Sequence, residues 1–193
     1  MHYFLDTNVL IGNVFSIDPL HEYSINLLIR DANFYYLGHV KKEFIKKFKE
    51  KRRIYDSFFN ELKFYVENLE NNPHINDYCV DIEVLYKFIN FFNNSKSFDK
   101  QNMIEAINIF WRDSNLEDHP SINKIILSLS KFIYEFKQSY IIKKKEMCNF
   151  LIEVPNFKKN YSNIKQIILD NNLSCHSEDF KIMMDAHEFA CSN

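Results

Sequence analysis

The amino-terminal stretch decides the fold. Residues 2–8 read His2-Tyr3-Phe4-Leu5-Asp6-Thr7-Asn8. The aromatic and aliphatic run over 2–5 is typical of a short buried strand, and it ends abruptly at Asp6. In open α/β sheets, ligands bind outside the carboxyl ends of the strands. The sequence therefore predicts a functional carboxylate at one edge of a sheet.

A helix and a second strand are predicted after this segment. Pro19 fits the first turn of a helix over residues 19–31, and the run 34–38 is typical of a strand. The order β-α-β favours parallel pairing with a right-handed crossover. We expect an α/β fold whose core is a parallel sheet with flanking helices.

Most of the remaining chain shows helical periodicity. A long helix is predicted from His39, and Lys51 interrupts one of its two apolar series. Pro120 fits the first turn of another helix, and a final helix is predicted to begin near Ser177. Residues 140–154 are typical of either a strand or a helix end. The helical segments predict an antiparallel bundle, with apolar stripes over 48–69, 82–92, 103–110, 122–136, 161–169 and 182–190.

Composition sets the broad class. Of 193 residues 46% are hydrophobic, and two Gly and four Pro leave little material for tight turns, which predicts a helix-dominated globular chain. The net charge of −2 provides no global attraction for a polyanion. The four cysteines lack metal-ligand spacing, so we expect reduced, buried thiols. No membrane span and no leader are recognisable, which predicts a cytoplasmic protein.

Asp6 carries the first chemical signal. A carboxylate at a strand end, beside a hydroxyl and an amide, is a hard-oxygen site that suits Mg²⁺ or Mn²⁺. The structural alternative is a turn aspartate that its own loop satisfies.

The run 4–11, which holds Asp6, Thr7 and Asn8, resembles the opening motif of PIN domains, a family of metal-dependent nucleases. The residues around Glu43 are similar to the context of a second acid in that family. The segment 179–186, which opens with Asp179 and Phe180, resembles the start of a later PIN helix.

The resemblance implies roles for these residues. Asp6, Glu43 and Asp179 would be catalytic and would bind Mg²⁺ or Mn²⁺, with Asp185 as a further metal ligand and Asn8 as a substrate contact. Clustered carboxylates repel one another unless a divalent cation neutralises them. Taken alone, Glu43 is more typical of a solvated helix residue than of a site, and Asp179 is also typical of a helix N-terminus.

The resemblance also implies a domain organisation. A PIN-like core would comprise residues 1–48 and 173–193, with a large all-α insertion over 49–172. PIN domains normally continue into further strands and a fourth acid, so we expect the core to be truncated.

A basic patch begins one turn after Glu43. Such a patch can contact phosphates without reading sequence, although a solvated helix face is the alternative. Its members are Lys46, Lys47, Lys49, Arg52 and Arg53.

These features predict a metal-dependent endoribonuclease that hydrolyses RNA. A dehalogenase-type phosphatase would need an aspartate where Asn8 stands. A metal-independent HEPN-type nuclease would use Arg112 and His119, which match its loose spacing. The remaining alternative is a non-catalytic PIN-like scaffold, or a module that binds RNA or protein. Such a protein could bind an antitoxin or form a homodimer.

Overall fold

The structure is a computed structural model that describes residues 2–70, 80–92, 99–117, 119–154, 166, 170, 180, 183–187 and 189. Helix predominates in these ranges, as the composition predicts. The elements are β1 (His2–Phe4), α1 (Thr7–Val14), α2 (His21–Leu28), β2 (Asn33–Leu37), α3 (Gly38–Glu70), α4 (Ile82–Phe88), α5 (Lys100–Asp113), α6 (Ile122–Phe150) and β3 (Ile152–Val154).

The three strands form one parallel sheet in the order β1-β2-β3. The predicted parallel pairing of the first two strands is confirmed. β3 lies inside the stretch 49–172, which was predicted to be all-α, so this part of the prediction was wrong for residues 152–154. The ambiguous segment is helical as far as Phe150, and Leu151 then becomes extended, with φ −87° and ψ 142°, before β3 begins.

Aromatic side chains cover both faces of the sheet. On one face Phe4 packs against Tyr35, and Phe189 lies 5.5 Å and 5.0 Å from their ring centres. Tyr3 and Phe34 stack on the opposite face. Residues 180, 183–187 and 189 are helical, so a carboxyl-terminal helical segment packs on the first face.

The long helices α3 and α6 pack antiparallel. Phe48 contacts Tyr140, Tyr55 contacts Phe136, and Phe59 contacts Phe132, so positions ascend along one helix as they descend along the other. This pairing confirms the predicted antiparallel packing for these two helices. Each fully buried ring contributes on the order of 2–3 kcal/mol through removal of apolar area from water.

Two helix starts differ from the prediction. Pro19 precedes α2 and lies outside it, because the side chain of Asp18 accepts a hydrogen bond from the backbone N–H of Leu20 and holds the chain in a turn. Pro120 likewise precedes α6, whose N-cap is Ser121. The starts of the helices predicted near 161 and 177 lie outside the described residues.

Across the described ranges, no helix is both long enough and apolar enough to cross a membrane. Cys148 is unpaired and exposed, so the prediction of buried thiols is wrong for this residue. Its position on α6 faces solvent because the apolar stripe of that helix faces α3. The other three cysteines, Cys79, Cys175 and Cys191, lie outside the described residues.

Candidate functional site

Asp6 lies at the carboxyl end of β1 and caps α1. Its Oδ1 accepts a hydrogen bond of 2.6 Å from the backbone N–H of Thr7, and its Oδ2 accepts one of 3.4 Å from that of Asn8. A carboxylate at this position is stabilised by the free N–H groups and the dipole of the helix. Each oxygen keeps a lone pair for another ligand. The capping role and a metal-binding role are therefore compatible.

Glu43 lies in the second turn of α3, which follows β2 directly. Its Oε1 is 2.9 Å from Nζ of Lys47, and its Oε2 accepts a hydrogen bond of 2.8 Å from the hydroxyl of Thr7. The hydrogen bond from Lys47 holds the pKa of Glu43 below its ordinary value; partial burial opposes this, and the Thr7 hydroxyl adds to the lowering. Glu43 is thus an ionised carboxylate at neutral pH.

Thr7 joins the two acids. Its backbone N–H donates to Asp6 and its hydroxyl donates to Glu43, and its side chain is fully buried. Because β1 and β2 are parallel, the residues that follow them emerge at the same edge of the sheet. The structure therefore brings Asp6 and Glu43 together, as their positions after two strands predicted. The bridging role of Thr7 was not predicted.

The other predicted acids come from the carboxyl-terminal segment. Asp179 lies outside the described residues. Asp185 is buried, with 3% of its surface exposed, and it precedes Phe189 by one helical turn. Since residues four apart share a helix face, Asp185 lies on the side that packs against the sheet.

The oxygen ligands near Asp6 fit a hard divalent cation. Two carboxylates and the side-chain oxygen of Asn8 are the ligand types that Mg²⁺ and Mn²⁺ prefer. Among the residues that the structure describes, no three His, Cys, Asp or Glu side chains form a group able to hold a metal ion. The described ligand set is therefore a pair of acids, Asp6 and Glu43, supported by an amide.

A cleft of about 310 Å³ lies beside Asn8 and Lys47, and neither Asp6 nor Glu43 lines it. Lys51, on its wall, forms an ion pair with the buried carboxylate of Asp18. This ion pair explains why a lysine interrupts the apolar series of α3. The interruption was the sequence signal that could have indicated a buried partner for Lys51. The cleft is lined by Asn8, Ile11, Asp18, Pro19, Leu20, Lys47, Lys51 and Asn102.

Four of the five members of the predicted basic patch are exposed along α3, at different angles around the helix. Lys46 and Arg53 lie three and ten residues after Glu43, on the same exposed stripe of α3. Lys49 is exposed further round the helix. Arg52 lies about 180° from Glu43 at ~100° per residue, and there it approaches Asp56 to 3.6 Å.

Lys47, the remaining member of the patch, points toward Glu43 and Asn8. Its Nζ is 2.9 Å from Oε1 of Glu43 and 3.5 Å from Oδ1 of Asn8. Lys47 is therefore a partner of the candidate metal ligands, a role that its spacing four residues after Glu43 could have indicated.

No hydrogen bond joins Arg112 and His119, the rival nuclease pair, among the described residues. Arg112 is exposed, and its Nε donates to Oδ1 of the neighbouring Asp113 at 3.0 Å. His119 is exposed in the connection to α6. These positions provide no support for a site built on Arg112 and His119.

No protein-family model, no curated protein and no solved structure matches this chain. The resemblance of residues 4–11 to PIN domains therefore stays a prediction.

Proposed function

We propose that this protein is a metal-dependent endoribonuclease, with a PIN-like core, that hydrolyses RNA phosphodiester bonds at Asp6 and Glu43. One observation carries the proposal. Thr7 donates hydrogen bonds to both carboxylates at the carboxyl edge of a parallel sheet. Two acids held together on separate elements form a hard-oxygen site, and such sites bind divalent cations.

Asp6 and Glu43 would hold Mg²⁺ or Mn²⁺, with Asp179 and Asp185 as the further ligands that the resemblance implies. A bound divalent cation lowers the pKa of water and stabilises charge on phosphoryl oxygens. The protein's own contribution is to keep the two carboxylates ionised and oriented, through the α1 N-terminus at Asp6 and through Thr7 and Lys47 at Glu43.

Exposed basic groups near the acids support a polyanionic substrate. Within the described part of the chain, Lys46 and Arg53 form no ion pair and lie on the helix stripe of Glu43. Phosphate contacts from such side chains provide affinity without sequence readout. The exposed Asn8, on the wall of the cleft, would contact the substrate with its amide.

A second candidate function is that of a non-catalytic RNA-binding or protein-binding module. The ion pair between Lys47 and Glu43 favours it, because an internal cation already neutralises one of the two acids. The two candidates differ in whether the acids bind a metal.

Calorimetric titration of Mn²⁺ separates the candidates. The wild type should bind Mn²⁺, and Asp6→Asn and Glu43→Gln should bind it at least tenfold more weakly, because each loses an anionic ligand. Asn is as good an N-cap as Asp, so Asp6→Asn should keep α1 intact. Asp31→Asn is the matched control, since Asp31 is exposed and lies away from the site.

Cleavage of a labelled oligoribonucleotide then tests the reaction. Metal-assisted attack by water leaves no 2′,3′-cyclic phosphate, whereas contaminating ribonucleases that use the 2′-hydroxyl produce one. Activity that requires Mg²⁺ or Mn²⁺, yields no cyclic product and disappears in Asp6→Asn would support the proposal. A folded wild type that binds no Mn²⁺ would overturn it and favour the binding module.

A further inference from the structure

The ammonium group of Lys47 contacts the carboxylate of Glu43, one of the two described acids of the candidate site. Its Nζ lies 2.9 Å from a carboxylate oxygen of Glu43 and 3.5 Å from the amide oxygen of Asn8. The first atom belongs to a proposed metal ligand, and the second belongs to the residue proposed to contact the substrate. The side chain of Lys47 is 40% exposed and that of Glu43 is 41% exposed, so solvent and ions reach the pair.

We propose that Lys47 is a built-in counter-ion that competes with the divalent cation for Glu43, so that metal binding requires its displacement. This inference rests on the proposed function, because it assumes that Glu43 is a metal ligand. Mg²⁺ binds oxygens at about 2.0–2.1 Å, whereas an ammonium group needs about 2.9 Å. The two cations cannot share Oε1 at these distances without strong mutual repulsion.

The geometry allows the displacement without a change in the fold. Lys47 reaches Glu43 with a flexible four-carbon side chain from the neighbouring turn of α3, and the cleft beside it has about 310 Å³ of space. The metal-free protein thereby avoids two uncompensated acids at one edge of the sheet. The same contact lowers the apparent affinity for metal, which makes occupancy depend on the concentration of free divalent cation.

Mn²⁺ titration by calorimetry at low ionic strength tests the competition. Lys47→Met removes the ammonium group and keeps the length of the side chain, so we expect its affinity for Mn²⁺ to rise about five- to tenfold over wild type. Lys42→Met is the matched control, because Lys42 is an exposed lysine that adjoins Glu43 in sequence and forms no ion pair among the described residues. Its affinity should change by less than about twofold. The advantage of Lys47→Met should shrink as salt is raised, since screening weakens the ion pair.

A measurement on the wild type removes any dependence on the folding of the variant. Lysine side-chain NMR should show the Lys47 ammonium signal shift as Mg²⁺ is added, while the Lys42 signal stays in place. Saturation of this shift at the Mg²⁺ concentration that fills the site would support displacement.

The outcomes separate this inference from the proposed function. Equal affinities for Lys47→Met and Lys42→Met, with Mn²⁺ binding that depends on Asp6, would overturn the competition and leave the metal site in place. Tighter Mn²⁺ binding by Lys47→Met than by both the wild type and Lys42→Met would support the competition. If the wild type, Lys47→Met and Lys42→Met are all folded and none binds Mn²⁺, both the competition and the proposed function are overturned.

Discussion

The hydroxyl of Thr7 donates a hydrogen bond of 2.8 Å to Oε2 of Glu43, a residue 36 positions further along the chain. Replacing Thr7 by Val keeps the buried volume and removes the donor. We expect Thr7→Val to lower the free energy of unfolding by about 1–2 kcal/mol, because a hydrogen bond to a carboxylate is lost. We also expect Mn²⁺ affinity to fall several-fold, since Glu43 is then less well oriented. Urea unfolding and calorimetry would measure the two effects.

Thr7→Ser is the control for this change. It keeps the hydroxyl and loses one methyl group, so Mn²⁺ affinity should stay close to that of the wild type. Equal losses of metal affinity in the two variants would show that packing around Thr7, and not its hydrogen bond, orients Glu43.

The ion pair between Lys51 and Asp18 provides a second prediction. The side chain of Asp18 is 5% exposed, and that of Lys51 is 33% exposed. Lys51→Met should lower the free energy of unfolding by about 3 kcal/mol, because removing one partner leaves a buried carboxylate without its cation. Equilibrium unfolding in urea would measure the loss.

Two variants make this prediction specific. Lys49→Met removes the same charge from an exposed position without an ion pair in the described ranges, so its effect should stay within about 0.5 kcal/mol. Adding Asp18→Asn to Lys51→Met should restore part of the loss, because the neutral amide needs no cation and can still accept from Leu20. If Lys51→Met alone is as stable as the wild type, the prediction is contradicted.

Gly12 provides a third prediction, because it allows α1 and α2 to approach closely. A Cβ at this position would lie 2.4 Å from Oγ of Ser24 and 2.9 Å from the carbonyl oxygen of Leu20. Gly→Ala in an open helix stabilises by about 1 kcal/mol, whereas Gly12→Ala should destabilise by about 1–3 kcal/mol through overpacking. A lower unfolding temperature in Gly12→Ala would indicate overpacking, and a higher one would indicate the ordinary stabilisation of an open helix.

Ser24→Ala is the partner variant in this test. Its hydroxyl is buried without a hydrogen bond in the described chain, so its removal alone should have a small effect. Combined with Gly12→Ala it should relieve the closest contact, which a double-mutant cycle would detect as a coupling energy.

A fourth prediction concerns the ionisation of Tyr140. Burial, and then the negative charge of Asp56, raise the pKa of Tyr140 to about 12, and its hydroxyl donates to Oδ1 of Asp56 at 3.0 Å. The folded state therefore favours the neutral phenol. The resulting contribution to stability is complete below the ordinary pKa near 10 and is lost as the pH rises through 12.

NMR of tyrosine labelled at Cζ would follow this group, with Tyr140→Phe assigning its signal. In Asp56→Asn the pKa of Tyr140 should fall toward its ordinary value, because a nearby negative charge is removed. A midpoint near 10 in the wild type would contradict the prediction.

The strands β1 and β2 and the helices α3 and α6 were predictable because their patterns are local. An aromatic run ending in a carboxylate indicated β1, and two apolar series at helical spacing indicated α3. β3 was not predictable, because three residues carry little local signal and their pairing depends on β2. Tyr36 and Glu153, which meet in that pairing, are 117 residues apart.

The site was predictable to a similar extent. Asp6 and Glu43 follow two parallel strands, so their meeting could be expected from topology alone. The contact of Lys47 with Asn8, and the ion pair of Lys51 with Asp18, depend on how the residues of α1 and of the turn before α2 pack against α3. Side-chain partners of this kind are set by tertiary packing, which periodicity does not specify.

The two strand pairings also differ in the length of chain that each must close. β1 pairs with β2 across one short crossover, whereas β3 reaches β2 only after α3 to α6 have been traversed. Longer loops cost more closure entropy, and distant contacts slow folding. We therefore expect the unit from β1 to the start of α3 to assemble early and β3 to dock late. Because Asp6, Thr7 and Glu43 all lie in the early unit, their hydrogen bonds can form before the sheet is complete.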